Sequence, residues 1–180
     1  MAHQQQRDFF EKVRFLKPDL FNDCKVLDLG SLDINGNNRH LFNNYTYIGV
    51  DIGEGRNVDV VCRNHEYKSD EKFDVVISSE CFEHDEFWDK SIENGISLLK
   101  EGGLFTFTCA TTGRPEHGTK RTSPRDSPFT SSLDNDYYMN LTEEDVRTAI
   151  DLDKYFSEYE FEVNDGTHDL YFWGIKRSNE

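Results

Sequence analysis

Between Lys25 and Asp51 two short apolar runs enclose a polar loop, and few folds accept that order. The first run, Val26–Leu29, stops at Gly30. Ser31-Leu-Asp-Ile-Asn then leads to Gly36, and a second run, Tyr47-Ile-Gly-Val, ends in one acid, Asp51. Short apolar runs closed by glycine read as buried parallel strands. Glycines at a strand end let the backbone approach a ligand. An acid closing the next strand is placed to accept from both hydroxyls of a ribose. The pattern describes a nucleoside site at the top of an open α/β sheet.

The rest of the chain supplies the other strands. Candidates run in order through Lys25–Leu29, Tyr45–Asp51, Val58–Cys62, Phe73–Ser79 and Leu104–Cys109. Helical segments are expected at Asn37–Phe42 and Phe87–Leu99, the second closed by Lys100-Glu-Gly-Gly. Strands alternating with helices predict a parallel sheet covered on both faces. Ahead of them, Phe9, Phe10, Val13 and Leu16 fall at helical spacing, which predicts an amphipathic helix from about Gln5 until Pro18 breaks it. Thr142 precedes Glu143-Glu-Asp and reads as an N-cap. At the end, Glu158-Tyr-Glu-Phe-Glu-Val alternates acid with apolar, as suits a sheet edge, while Leu170-Tyr-Phe-Trp-Gly-Ile is apolar throughout, as suits an interior strand. The two are expected to pair antiparallel through Asp165-Gly166.

A length of 180 residues suits one domain, with residues 1–21 as an N-terminal helix and linker. No run approaches the ~20 apolar residues of a membrane span, and Met1-Ala-His-Gln-Gln-Gln-Arg has no signal-peptide core. The four cysteines form no CxxC pair and no zinc spacing with a nearby histidine, so free thiols and a cytoplasmic location are expected, without a metal. A net charge of −15 argues against nucleic acid or anionic lipid as partners. The charge is uneven: residues 134–165 hold 11 acids, whereas Arg114, Lys120, Arg121 and Arg125 gather in residues 113–126. Those four cations suggest an anionic small-molecule acceptor. They lie in a polar segment, Thr111–Asp136, that contains three of the four prolines. A long loop without structure of its own is usually functional, and this one is a candidate lid.

Four motifs in order carry a family resemblance. Val26-Leu-Asp-Leu-Gly30, Gly49-Val-Asp51, Phe73-Asp-Val-Val-Ile-Ser-Ser-Glu-Cys-Phe-Glu-His84 and Leu98-Leu-Lys-Glu-Gly-Gly-Leu104 together resemble the class I S-adenosylmethionine-dependent methyltransferases, in particular their small type 11-like group. The resemblance implies a Rossmann-like seven-stranded, mostly parallel sheet with an antiparallel C-terminal hairpin and helices on both faces. It implies S-adenosylmethionine as cofactor and methyl transfer to an oxygen or nitrogen of a small acceptor. Two departures stand out. The usual tight glycine loop is replaced by Gly30-Ser-Leu-Asp-Ile-Asn-Gly36, which resembles a subgroup with a polar loop. After the third strand, where many relatives place an acid near the adenine amino group, this chain has Cys62-Arg-Asn-His.

Carried over onto this sequence, the cofactor-binding candidates are Asp28, Gly30, Ser31, Leu32, Asp33, Gly36, Arg39, Asp51, Ile52, Asn64, Ser79 and Glu80. Asp28, an acid within an apolar run, would order the glycine loop near the methionine ammonium. Arg39 would pair with the methionine carboxylate, and Asn64 would serve the adenine. His84, Glu83 and His117 are the catalytic candidates, with His84 or His117 as general base. Two other readings remain at this point. A nicotinamide-dependent oxidoreductase would want a Gly-x-Gly-x-x-Gly turn and a substrate domain. A cofactor-binding subunit without activity of its own would need no base.

Overall fold

The computed structural model describes residues 4–133 and 135–178. Met1-Ala-His, at the start of the stretch read for a signal sequence, and Asp134, within the candidate lid, lie outside those residues. Seven strands form one sheet: β1 Lys25–Leu29, β2 Thr46–Asp51, β3 Val60–Val61, β4 Phe73–Ser79, β5 Leu99–Ala110, β6 Phe156–Asn164 and β7 Asp169–Lys176. Their order is β3-β2-β1-β4-β5-β7-β6. The first five are parallel, and β7 enters antiparallel beside β5 with β6 outside it. From β1 the chain moves outward to β2 and β3, then returns to start β4 on the other side. Ligands bind outside the carboxyl ends of strands at such a reversal. Gly30, Asp51 and Glu80 all sit at those ends.

Successive side chains of a strand face opposite sides, and the core divides accordingly. On one face Val26, Val75, Ile77, Leu104, Tyr171 and Trp173 meet Phe9, Phe10 and Val13 of α1 (Gln4–Leu16), with Phe21, Leu41 and Phe42. On the other, Leu27, Leu29, Val76, Phe105, Phe107 and Phe172 meet Ile92 and Ile96 of α2 (Trp88–Leu98), Val146 of α4 (Glu143–Ala149) and Leu152 of α5 (Leu152–Tyr155). Between α2 and α4 lies α3, Pro128–Ser132. Thr142 caps α4 in a reciprocal box: its hydroxyl accepts from Asp145 N, and the Asp145 carboxylate accepts from Thr142 N.

Several sequence expectations are corrected. Asn37–Phe42 is not an α-helix but a single 3-10 turn at Arg39–Leu41. The Asn37 side chain accepts from Arg39 N, a local bond that competes with helix formation. The third strand keeps only Val60–Val61 of Val58–Cys62. The segment 111–136 carries structure of its own, a 3-10 turn at Pro124–Asp126 and then α3, each with proline in its first turn. Leu16 closes the predicted apolar stripe of α1 yet is exposed. The acids of β6 have a second role: Glu158 takes Lys17 at 2.6 Å, and Glu162 takes Lys12 at 2.6 Å. These exposed pairs orient α1 across the hairpin and add little stability.

Candidate functional site

A cleft opens over the ends of β1, β2 and β4. Its walls include Asp28, Gly30, Ser31, Leu32, Gly36, Asp51, Ile52, Asn64, Ser79, Glu80 and His84. Ser127, Pro128, Phe129 and Thr130 of segment 111–136 also line it.

The floor is the β1 turn. Gly30 has φ +75°, in the left-handed region, and a Cβ there would overlap the Cys81 side chain. Gly30 N and Ser31 N both donate to Val50 O, so the turn is anchored to β2. Asp51 holds it from the other side. Its Oδ2 accepts from Leu32 N at 2.9 Å and its Oδ1 from Ile52 N at 2.8 Å. Each oxygen keeps a lone pair for the cleft. Burial raises the Asp51 carboxyl above its usual range, with those two backbone donors opposing.

Asp28 lies behind this floor. Its Oδ2 accepts from Tyr47 OH at 2.6 Å and from Asn57 Nδ2 at 3.3 Å, and Asn57 also donates to Ser31 O. Burial pushes its carboxyl up to about 7; the Tyr47 hydrogen bond opposes this, and the nearby Asp51 charge adds to it. An unfolded aspartate titrates near 3.9. Between about pH 4 and 7 the folded chain therefore keeps a proton that the unfolded chain has lost. Its stability falls as pH rises through that window and levels off above it. Asp28→Asn keeps an acceptor for Tyr47 and Asn57 and is expected to remove about 2 kcal/mol of the decline in unfolding free energy between pH 5 and 7. Urea unfolding at both pH values measures it; an unchanged decline would place the titration elsewhere.

Two candidates turn away from the cleft. Asp33 accepts from Gly36 N, Asn37 Nδ2 and Arg56, and closes its own loop. Burial raises its carboxyl, but those partners outweigh it and hold it low. Arg39 stacks over Tyr47 at 4.2 Å, donates to Asn57 and lies 3.5 Å from Asp59. The guanidinium on the cleft wall beside the loop belongs instead to Arg7 of α1, which donates to Asn35 O at 2.7 Å. Asn64 is buried, and its Oδ1 has no hydrogen-bond partner among the described residues. Ser79 accepts from Asn38 Nδ2 at 2.8 Å, which ties the loop to β4.

The third wall is the most unusual. Glu80, at φ +51°, and Glu83 are buried, and none of their four carboxylate oxygens has a hydrogen-bond partner among the described residues. Burial raises both carboxyls, Glu80 well above the usual range with help from Glu83. Burial lowers His84 to about 3, and His117 adds to this. The His84 and His117 rings meet edge-on at 5.1 Å, with Tyr138 against both. Glu83 and His84, adjacent in sequence, are thus joined beside the cleft by His117 from more than 30 residues further along the chain. Gly118, φ +65°, makes this possible, since a Cβ there would stand 2.7 Å from His84 Cε1. The basic loop residues face elsewhere: Arg114 bonds Asp169 and Thr167 O, and Arg121 bonds Glu116.

Comparison with known proteins agrees with this architecture. A family model described as a methyltransferase domain matches residues 1–172. The chain belongs to that family and is a class I S-adenosylmethionine-dependent methyltransferase. A search of curated proteins finds no match. Solved structures share the fold at low identity. NodS, an N-methyltransferase from Bradyrhizobium japonicum, in complex with S-adenosylhomocysteine, superposes with TM-score 0.65 at 12% identity, over 99% of this chain and 90% of its own. The 1,6-didemethyltoxoflavin-N1-methyltransferase of Burkholderia thailandensis gives 0.63 at 16%, over 97% and 83%. The magnesium protoporphyrin IX methyltransferase of Synechocystis, with bound S-adenosylmethionine, gives 0.63 at 16%, over 98% and 80%. No helix among the described residues is long and apolar enough to cross a membrane.

Proposed function

We propose that the cleft binds S-adenosylmethionine and that the chain transfers its methyl group to an oxygen or nitrogen of a metabolite-sized acceptor. The observation that carries this reading is the wall of the cleft: two buried carboxylates, Asp28 and Glu80, the second with no hydrogen-bond partner among the described residues. A buried acid ionises readily only beside a cation, and a sulfonium with an ammonium would hold Glu80 and Asp28 in their charged forms. When bound, S-adenosylmethionine supplies a methyl group already activated by the positive charge on sulfur.

The side chains divide the work. Asp51 and Ile52 hold the ribose end, and Asn64 Oδ1 is the acceptor for an adenine amino group. Gly30, Ser31, Leu32 and Gly36 give backbone access along the methionine end. Arg7 takes the carboxylate, a role open because Arg39 is held by Tyr47, Asn57 and Asp59. Asp33 keeps the loop in shape. Segment 111–136 acts as a lid, with Phe129 excluding water. Glu83, His84 and His117 act on the acceptor. Arg114 and Arg121 are engaged with carboxylates of the chain itself, so an anionic group on the acceptor would meet Arg63, which lines the cleft.

Methyl-labelled S-adenosylmethionine incubated with the protein and a cell extract tests the reading. Label is expected in the low-mass fraction. Label confined to protein or nucleic acid would overturn the small-molecule acceptor, and calorimetric binding without any transfer would overturn the catalytic assignment.

A further inference from the structure

We infer that Glu83, His84 and His117 form a binding site for a divalent first-row transition-metal ion, such as zinc or iron(II), beside the methyl-donor cleft. The inference deepens the proposed function by naming how these residues meet the acceptor, but it stands on their own geometry.

One ligand atom from each lies within 4.8 Å of the other two. Ligands about 2.1 Å from one ion stand roughly 3–4.2 Å apart, so a small inward swing of the imidazoles completes the set. All three residues are nine-tenths buried or more. Both Glu83 oxygens, both His84 ring nitrogens and His117 Nε2 lack hydrogen-bond partners among the described residues. Five orphaned polar atoms on three neighbouring side chains are costly to leave so. A single ion would satisfy three at once.

His117 is further prepared for this role. Its Nδ1 lies 3.1 Å from Pro115 O. A carbonyl can only accept, so Nδ1 carries the proton and Nε2 presents its lone pair. Metal-bound histidines are oriented by that kind of second hydrogen bond. Two histidines with one carboxylate suit zinc, iron(II) and their neighbours rather than magnesium or calcium, and leave coordination positions open. The open side has access from two directions: His84 lines the main cleft, and His117 lines a second recess with Arg114, Glu116 and Asp126. An acceptor hydroxyl bound to the ion would release its proton to water more readily, keeping the electron pair on oxygen. Sequence spacing missed the site because His117 is delivered by the loop.

The test uses the full chain, stripped with a chelator and titrated with Co²⁺, whose absorption bands report coordination, and with Zn²⁺ by calorimetry. One ion per chain is expected, bound at least about a hundred-fold more weakly by His117→Gln. A second readout needs no variant: Co²⁺ should shift the imidazole proton signals of His84 and His117 and leave those of His40, on a surface turn, in place. No uptake by the unmutated chain, or uptake that leaves the His84 and His117 signals unmoved, overturns the site. Metal binding without methyl transfer would keep the site and remove the proposed function; transfer by a chain that takes up no Co²⁺ would do the reverse.

Discussion

Asp51→Ala is expected to weaken S-adenosylmethionine binding about 100- to 1000-fold in calorimetry. The carboxylate is fixed before any ligand arrives, one oxygen by Leu32 N and the other by Ile52 N. Asp51 lines the cleft, and each oxygen keeps acceptor capacity for one hydroxyl of a vicinal pair. A hydrogen bond to a charged group contributes about 1.5–3 kcal/mol; in a cleft open to water the lower part of that range, about 1.5–2 kcal/mol each, applies, so losing two costs about 3–4 kcal/mol, which is the stated range in dissociation constant. The variant also frees Leu32 N, and the Gly30–Gly36 loop loses a tether. Asp51→Asn separates the two effects. It keeps an acceptor for one backbone donor but no charge, and is expected to bind with intermediate affinity while melting close to the unmutated chain. An affinity for Asp51→Ala within fivefold of the original would place the ribose elsewhere.

Much of this was legible in the sequence, and the reasons are local. The central parallel strands β1, β4 and β5 announce themselves as short apolar runs, because both faces of the sheet are covered there, whereas β3 at the edge is short and its Val61 is exposed. The hairpin was legible from contrast: Glu158, Glu160 and Glu162 point out at the edge, whereas Leu170–Trp173 have no solvent side. The placement of Asp51 and Gly30 on the cleft was legible because it depends only on their own strand ends. The failures are tertiary. Asn37–Phe42 has too few apolar side chains to hold a helix on the sheet, and α1 fills that face with Phe9, Phe10 and Val13. Apolar spacing identified α1, but nothing in it indicated that Arg7 would reach the Asn35 carbonyl from 28 residues away. The same limit hid the meeting of His117 with Glu83 and His84. Their approach depends on a loop whose path is set by prolines, by Gly118 and by the hydrogen bond from Met139 N to Glu83 O.

The largest stability loss is expected at Arg114, which the sequence suggested as an acceptor contact. Asp169 begins β7 with no exposed surface, and its carboxylate takes Arg114 Nη1 at 3.1 Å and Gln6 Nε2 at 3.2 Å. Arg114 also donates to Thr167 O, and its own carbonyl accepts from Asn140. One ion pair thus joins α1, the start of the 111–136 segment and the C-terminal hairpin. Removing one partner of a buried pair leaves the other charge uncompensated, at a cost of about 3–5 kcal/mol. Arg114→Ala is expected to lose that much in urea unfolding at neutral pH. Asp169→Asn in the same chain should restore part of it, because the stranded charge is gone while an acceptor for Gln6 remains. A loss below about 1 kcal/mol, or no recovery in the double variant, would show that the pair is not what holds these elements together. Because the segment it anchors also carries His117 and Phe129, the single variant is expected to transfer methyl groups more slowly even where it remains folded.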